Sequence, residues 1–351
     1  MENIIVELIK TYLPGFVICM LIAIPAWFLG QEFPIVGGAV IAMLLGMTIA
    51  LFWNNKKAFE PGMRWTLKYI LQTAVVLLGF GLNLGVVMET GYSSLPIIIC
   101  TISTSFIIAW LMQKILKIQG NTSILIGVGS SICGGSAIAA AAPVIKADSN
   151  EVAQSISVIF LFNILAAVLF PVLGRALGFS HDPEAFGLFA GTAVNDTSSV
   201  TAAASAWDSM WNLGTGTLDY AVMVKLTRTL AIIPITFVLT WYCFRTQSGA
   251  GQAENQNRFS LKRSLPLFII FFILAAGITT VCQSWGVTAE SFAPLKNLSK
   301  FCIMMAMAAV GLSSNVINLI RTGGKPIIMG AACWIGITAV DLILQKILNI
   351  W

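Results

Sequence analysis

Residues Gly127 to Pro143 read GVGSSICGGSAIAAAAP. They lie inside a long apolar run, yet they cannot form an ordinary membrane helix. Four glycines (Gly127, Gly129, Gly134, Gly135) sit among three serines (Ser130, Ser131, Ser136) and Cys133. Glycine disfavours helix, and the Gly134-Gly135 pair in mid-run predicts a break. Ser136 is placed to cap a second half-helix, Ala137 to Ala142, which Pro143 helps to end. Within a bilayer, broken backbone is tolerated only where protein buries it or where it lines a wet cavity. The N-terminus of a half-helix at such a break attracts anions.

A second copy follows at an offset of 62 residues without gaps. Gly129-Ser130-Ser131-Ile132 aligns with Gly191-Thr192-Ala193-Val194, and Ser136 to Ala141 aligns with Ser198 to Ala203. Cys133-Gly134-Gly135 is replaced by Asn195-Asp196-Thr197. Close packing of small-residue helices accounts for the alanines. It does not account for Asn195-Asp196-Thr197-Ser198-Ser199, a polar run inside an apolar span. An ionisable residue within the membrane is expensive and by default functional.

Composition sets the class. Of the 351 residues, 57% are hydrophobic and only 10% are charged, where a soluble domain carries about 25% charged residues. The chain is therefore an all-α polytopic membrane protein, with the lipid bilayer as its first partner. A net charge of +5 is no nucleic-acid footprint, because the basic residues fall between apolar runs, where topology explains them. The seven cysteines form no CxxC pair, so neither a disulfide framework nor a metal site is expected. All but Cys133 read as small core residues. His181 is the one histidine, which excludes a site of several histidine ligands. Glu2 and Glu7 interrupt any basic leader region, so the first apolar run reads as a retained helix. No cofactor is expected.

About 11 membrane segments are expected, near 12–30, 35–53, 66–88, 95–116, 122–144, 152–174, 185–206, 219–243, 264–285, 297–317 and 326–348. The fifth and seventh are the broken or re-entrant pair. Lys56, Lys57, Arg64, Lys114, Lys117, Arg245, Arg258, Lys262, Arg263, Arg321 and Lys325 all fall on one side, which places the N-terminus in the cytoplasm. Residues 246–262 are polar and read as a cytoplasmic linker between helical regions 1–245 and 263–351. Gly79 to Asn83 resembles Val310 to Asn315, each followed by a short loop (Glu89-Thr90-Gly91; Arg321-Thr322-Gly323) and a Pro-Ile-Ile start. The opposite orientation of these pairs is the pattern of inverted repeats.

Asp196 suits two compatible roles, an N-cap on the second half-helix and a site for H⁺ or Na⁺. Lys225 and Arg228 share one helical face. Counted from Asp219 they lie roughly 9 and 13 Å inside, at about 1.5 Å per residue. Arg228 is expected to pair with Asp196 or to bind an anion. Two cations and two half-helix N-termini suit a dianion such as sulfate. Residues expected at a substrate site are Ser130, Ser131, Cys133, Gly134, Gly135, Ser136, Asn195, Thr197, Ser198, Lys225 and Arg228, with Asp196 as the coupling group. Asp341 is expected either to pair with Arg321 or Lys325 or to act in function. Asn83, Asn163 and Asn315 read as interhelical hydrogen-bond formers. Lys146, Asp148 and Glu151 read as a solvated loop.

These motifs resemble the YeiH family of bacterial inner-membrane proteins, which carry the label of sulfate exporters. The resemblance covers nearly the whole chain. It rests on Gly129 to Ile138, on Gly191 to Thr197, on Lys225-Leu226-Thr227-Arg228 and on Ala306 to Ser313. The family commonly has His-Asp where this chain has Asn195-Asp196. The resemblance implies a non-enzymatic secondary transporter that exports a small anion, sulfate or a related sulfur-containing anion, across the inner membrane. A homo-oligomer is left open. Two rivals are an intramembrane protease, using Asp196 with Asp341 or Ser131 as nucleophile, and an anion channel. The protease lacks both GxGD and GxSG.

Overall fold

The computed structural model describes residues 2–33, 36–53, 56–118, 120–179, 181–232, 234–235, 238–239, 267–313 and 324–351. The described residues form helices and no strand. In chain order these are α1 (Glu2–Glu32), α2 (Gly38–Phe52), α3 (Glu60–Trp65), a π-helical turn (Thr66–Ile70) and α4 (Leu71–Gly79). Then come α5 (Leu84–Leu116), α6 (Gly120–Ser131), α7 (Gly135–Ala141), α8 (Ser149–Leu177), α9 (Pro183–Ala193), α10 (Thr197–Trp211) and α11 (Gly216–Leu230). α12 (Leu267–Ser284), a 3-10 turn (Ala289–Phe292), α13 (Ala293–Ser313) and α14 (Gly324–Ile347) complete the set. The expected linker 246–262, Cys243, Asn315 and the loop Arg321-Thr322-Gly323 lie outside the described residues.

Among the described residues, six helices are long and apolar enough to cross a bilayer: α1, α5, α8, α12, α13 and α14. The described parts of the other apolar runs are short or divided, which is why length alone does not find them. The division follows chemistry. Both Gly/Ser-rich runs split, into α6 with α7 and α9 with α10. A third split was not expected. The run 66–88 breaks after α4, where Gly81 takes a φ of +93° that favours glycine. Asn83 then caps α5 by accepting from the Gly85 amide, and its Nδ2 donates to Gln283 of α12. Glu89-Thr90-Gly91, expected to be a loop, is instead helix inside α5. Gly91 is there for packing: a Cβ on it would meet Thr227 Oγ1 of α11 at 3.3 Å.

The helices pack as two groups. α1 to α4, α12 and α13 contact one another; α5 to α11 and α14 form the second group. α10 touches α2 and α13, and α12 touches α5, where the groups meet. Helices from both sides of residues 246–262 therefore contribute to each group. In the first group, backbones touch. A Cβ on Gly311 would lie 2.1 Å from Met43 O, and one on Gly62 would lie 2.2 Å from Tyr12 O. Such contact brings van der Waals gain without side-chain ordering, the usual logic of small residues in membranes. Lys56, read above as a topology signal, also donates to Leu312 O at the end of α13. Asp148 and Glu151 form a capping box at the start of α8.

Candidate functional site

The first break occupies residues 132–134. Gly134, at φ +70°, precedes α7 as its N-cap, and no side chain caps that helix. The cap expected of Ser136 is therefore two residues too late: Gly134, at a positive φ, already starts the helix at Gly135. The second break occupies residues 194–196. Asp196 caps α10 as expected; its Oδ2 accepts from the Ser198 amide at 3.0 Å and from the Ser198 hydroxyl. The two breaks abut. A Cβ on Gly134 would lie 3.6 Å from Asp196 Cβ.

Each first half-helix leaves carbonyls without an intrahelical partner. α11 supplies the donors. Lys225 Nζ donates to Ile132 O at 2.7 Å and to Val194 O at 3.0 Å. Arg228 Nε donates to Ser131 O and Nη2 to Ser130 O, both at 2.8 Å, and Nη1 donates to Thr192 O. Each cation thus holds both breaks. Both side chains are fully buried, so the charges are matched to the partly negative ends of α6 and α9 instead of to a carboxylate. The Arg228–Asp196 ion pair considered from sequence is absent among the described residues. α11 is itself anchored at its start: Asp208 accepts from the amides of Thr217 and Leu218, both at 2.9 Å. Asp219 pairs with Lys296 of α13 at 2.7 Å.

Asp341 of α14 is fully buried; among the described residues it forms no ion pair with Lys325, and Arg321 lies outside the described residues. Thr192 Oγ1 donates to its Oδ1 at 2.6 Å and Gln345 Nε2 to its Oδ2 at 2.9 Å. Neither Asp196 nor Ser131 meets it; the Ser131 hydroxyl donates to Val128 O. No dyad and no activated serine is assembled among the described residues. Of the cysteines expected in the core, Cys19 and Cys333 are buried, Cys282 and Cys302 are half-buried and Cys100 is exposed; Cys133, at the break, is buried as well.

A cavity of about 350 Å³ lies where the two helix groups meet. From the second group it is lined by Cys133, Gly135 and Ser136 at the first break and by Asp196, Thr197 and Ser198 at the second. Ile156, Ile159, Phe160 and Asn163 of α8 and Thr229 of α11 complete that wall. The opposite wall is Leu67, Lys68, Leu71, Gln72, Val75 and Phe268. Six expected site residues therefore come together there. Ser130, Ser131, Gly134, Asn195, Lys225 and Arg228 do not line it; they build the breaks behind it. Lys68, Gln72 and Asn163 are the polar lining that sequence did not place. Lys68 sits on the π-helical turn and is exposed, with Nζ 5.1 Å from the Tyr69 ring centroid. The available signal was a lysine inside the third apolar span, close enough to its end to pass as a boundary residue.

The family model described as "Conserved hypothetical protein 698" matches residues 14–330. A UPF0324 membrane protein of Streptococcus mutans is 58% identical over 97% of this chain and 98% of its own length. One from Streptococcus agalactiae is 55% identical over 98% of this chain and all of its own length. One from Fusobacterium nucleatum is 54% identical over 96% and 98%.

Proposed function

The chain belongs to the Conserved hypothetical protein 698 family, the UPF0324 or YeiH membrane proteins, and from that premise we propose that it is a secondary transporter exporting a small anion across the bacterial cell membrane. Sulfate or a related sulfur-containing anion is the substrate class. One observation carries this: at the two breaks, the carbonyl ends are neutralised by Lys225 and Arg228, while Lys68 stands on the wall of a cavity that the acid-capped start of α10 also lines. A lysine on the cavity wall favours a negative solute. The cavity's place between two helix groups suits alternating access. Lys225 and Arg228 act as positioning residues. The protein performs no bond chemistry.

Asp196 lines the same cavity, and this gives the coupling. Two like unit charges about 4 Å apart repel by about 4 kcal/mol at an effective dielectric of 20. An anion therefore enters with a cation on Asp196, H⁺ or Na⁺, and the two move together. The test is flux of radiolabelled sulfate and sulfite in proteoliposomes under imposed ion gradients. Saturable, gradient-driven flux is expected. Lys68→Gln should raise KM, and Asp196→Asn should uncouple flux from the cation gradient. Flux unchanged in the double variant would remove the mechanism, and flux that does not saturate would favour a channel.

A further inference from the structure

We propose that Asn163 and Asp196 form a binding site for a monovalent alkali cation of the sodium class. This rests on the transporter reading of the same cavity and selects between its two coupling ions.

Asn163 is on α8 and is only 3% exposed, yet its Oδ1 has no hydrogen-bond partner among the described residues. Leaving a buried acceptor unmatched costs about 1–3 kcal/mol, and native proteins keep few such groups. Asn163 also lines the cavity. Gly134 lies beside both side chains: a methyl on that glycine would lie 3.4 Å from Asn163 Nδ2 and 3.6 Å from Asp196 Cβ. The amide and the carboxylate therefore flank the same glycine. Both hydrogen bonds to Asp196 use Oδ2, and Oδ1 receives none among the described residues.

The donor set decides the ion. It contains one carboxylate, one neutral amide oxygen, and the hydroxyl-bearing Ser136 and Thr197 on the same cavity wall. Oxygen ligands select hard cations, and a single carboxylate suits a single positive charge. No group of three His, Cys, Asp or Glu residues that could hold a transition metal or calcium exists among the described residues. A metal ion satisfies the amide oxygen and the carboxylate together. It also neutralises Asp196 beside an incoming anion, with Lys68 on the facing wall left to the anion.

The experiment uses the purified full-length protein in detergent. Its unfolding temperature and ²²Na⁺ binding are measured in sodium, potassium and choline chloride at constant pH and ionic strength. A saturable rise specific to sodium is expected. Asn163→Leu should weaken the apparent affinity about tenfold or more, and Asp196→Asn should abolish the rise. Asn163→Asp keeps an oxygen ligand and should retain it, which separates loss of the site from loss of the fold. Equal behaviour in the three salts, or a sodium effect untouched by Asn163→Leu, overturns the assignment. Proton-driven sulfate flux without sodium-specific stabilisation removes the sodium site and leaves the transporter. Sodium binding without any anion flux does the reverse.

Discussion

The carbonyl ends and the amide ends of the two broken helices are treated in opposite ways. Five carbonyls, from Ser130, Ser131, Ile132, Thr192 and Val194, receive buried donors from Lys225 and Arg228. At the other end, α7 has no side-chain cap, and α10 is capped by an acid that also lines a cavity. One end is therefore closed by buried cations, and the other faces the cavity with an acid as its cap. A buried cation in a membrane protein is thus not by itself a substrate ligand. Its partner is to be sought first among the backbone groups that a break releases.

The contrast can be broken by substitution. Arg228→Leu should have the largest effect, because it strands three carbonyls at once. Three unmatched buried carbonyls at about 1–3 kcal/mol each come to roughly 3–9 kcal/mol, read as a large fall in thermal stability in detergent. Arg228→Lys should not rescue it, since an ammonium lacks the planar fork. A stable Arg228→Leu protein that only loses anion affinity would reverse the roles of the two ends. Lys225→Met should cost about 2–6 kcal/mol, from two carbonyls at about 1–3 kcal/mol each. Gly134→Ala should cost roughly 1–3 kcal/mol for the positive-φ backbone, and its methyl should also disturb Asn163 and Asp196. Asp196→Asn preserves a good N-cap, so stability should change by less than about 1 kcal/mol, while coupling is lost. Lys68→Gln should leave stability within about 0.5 kcal/mol and shift only KM.

Sequence exposed those features whose cause is local. The Gly134-Gly135 pair and the run Asn195 to Ser199 disrupt helix wherever they stand, so both breaks and the Asp196 cap were legible. The shared face of Lys225 and Arg228 was legible too, but their partners were not. Backbone carbonyls occur at every residue, and only the fold says which ones are orphaned. Glu89-Thr90-Gly91 looked like a turn because of its glycine, yet α5 continues through it. There a glycine serves approach to Thr227, a demand made by a helix distant in sequence. Lys68 was hidden for the opposite reason, since a lysine near the end of an apolar span has a sufficient topological explanation. Asn163 was recognised as a polar group needing a partner, and the structure leaves its Oδ1 without one among the described residues.

The contact of Gly46 and Gly311 has a consequence for biogenesis. Gly46 leaves the ribosome early, and the helix that fills its groove follows about 265 residues later. At roughly 5–20 residues per second of synthesis, α2 waits on the order of ten to fifty seconds for α13. During that interval its bare glycine face must be sheltered by acyl chains or by the insertion machinery.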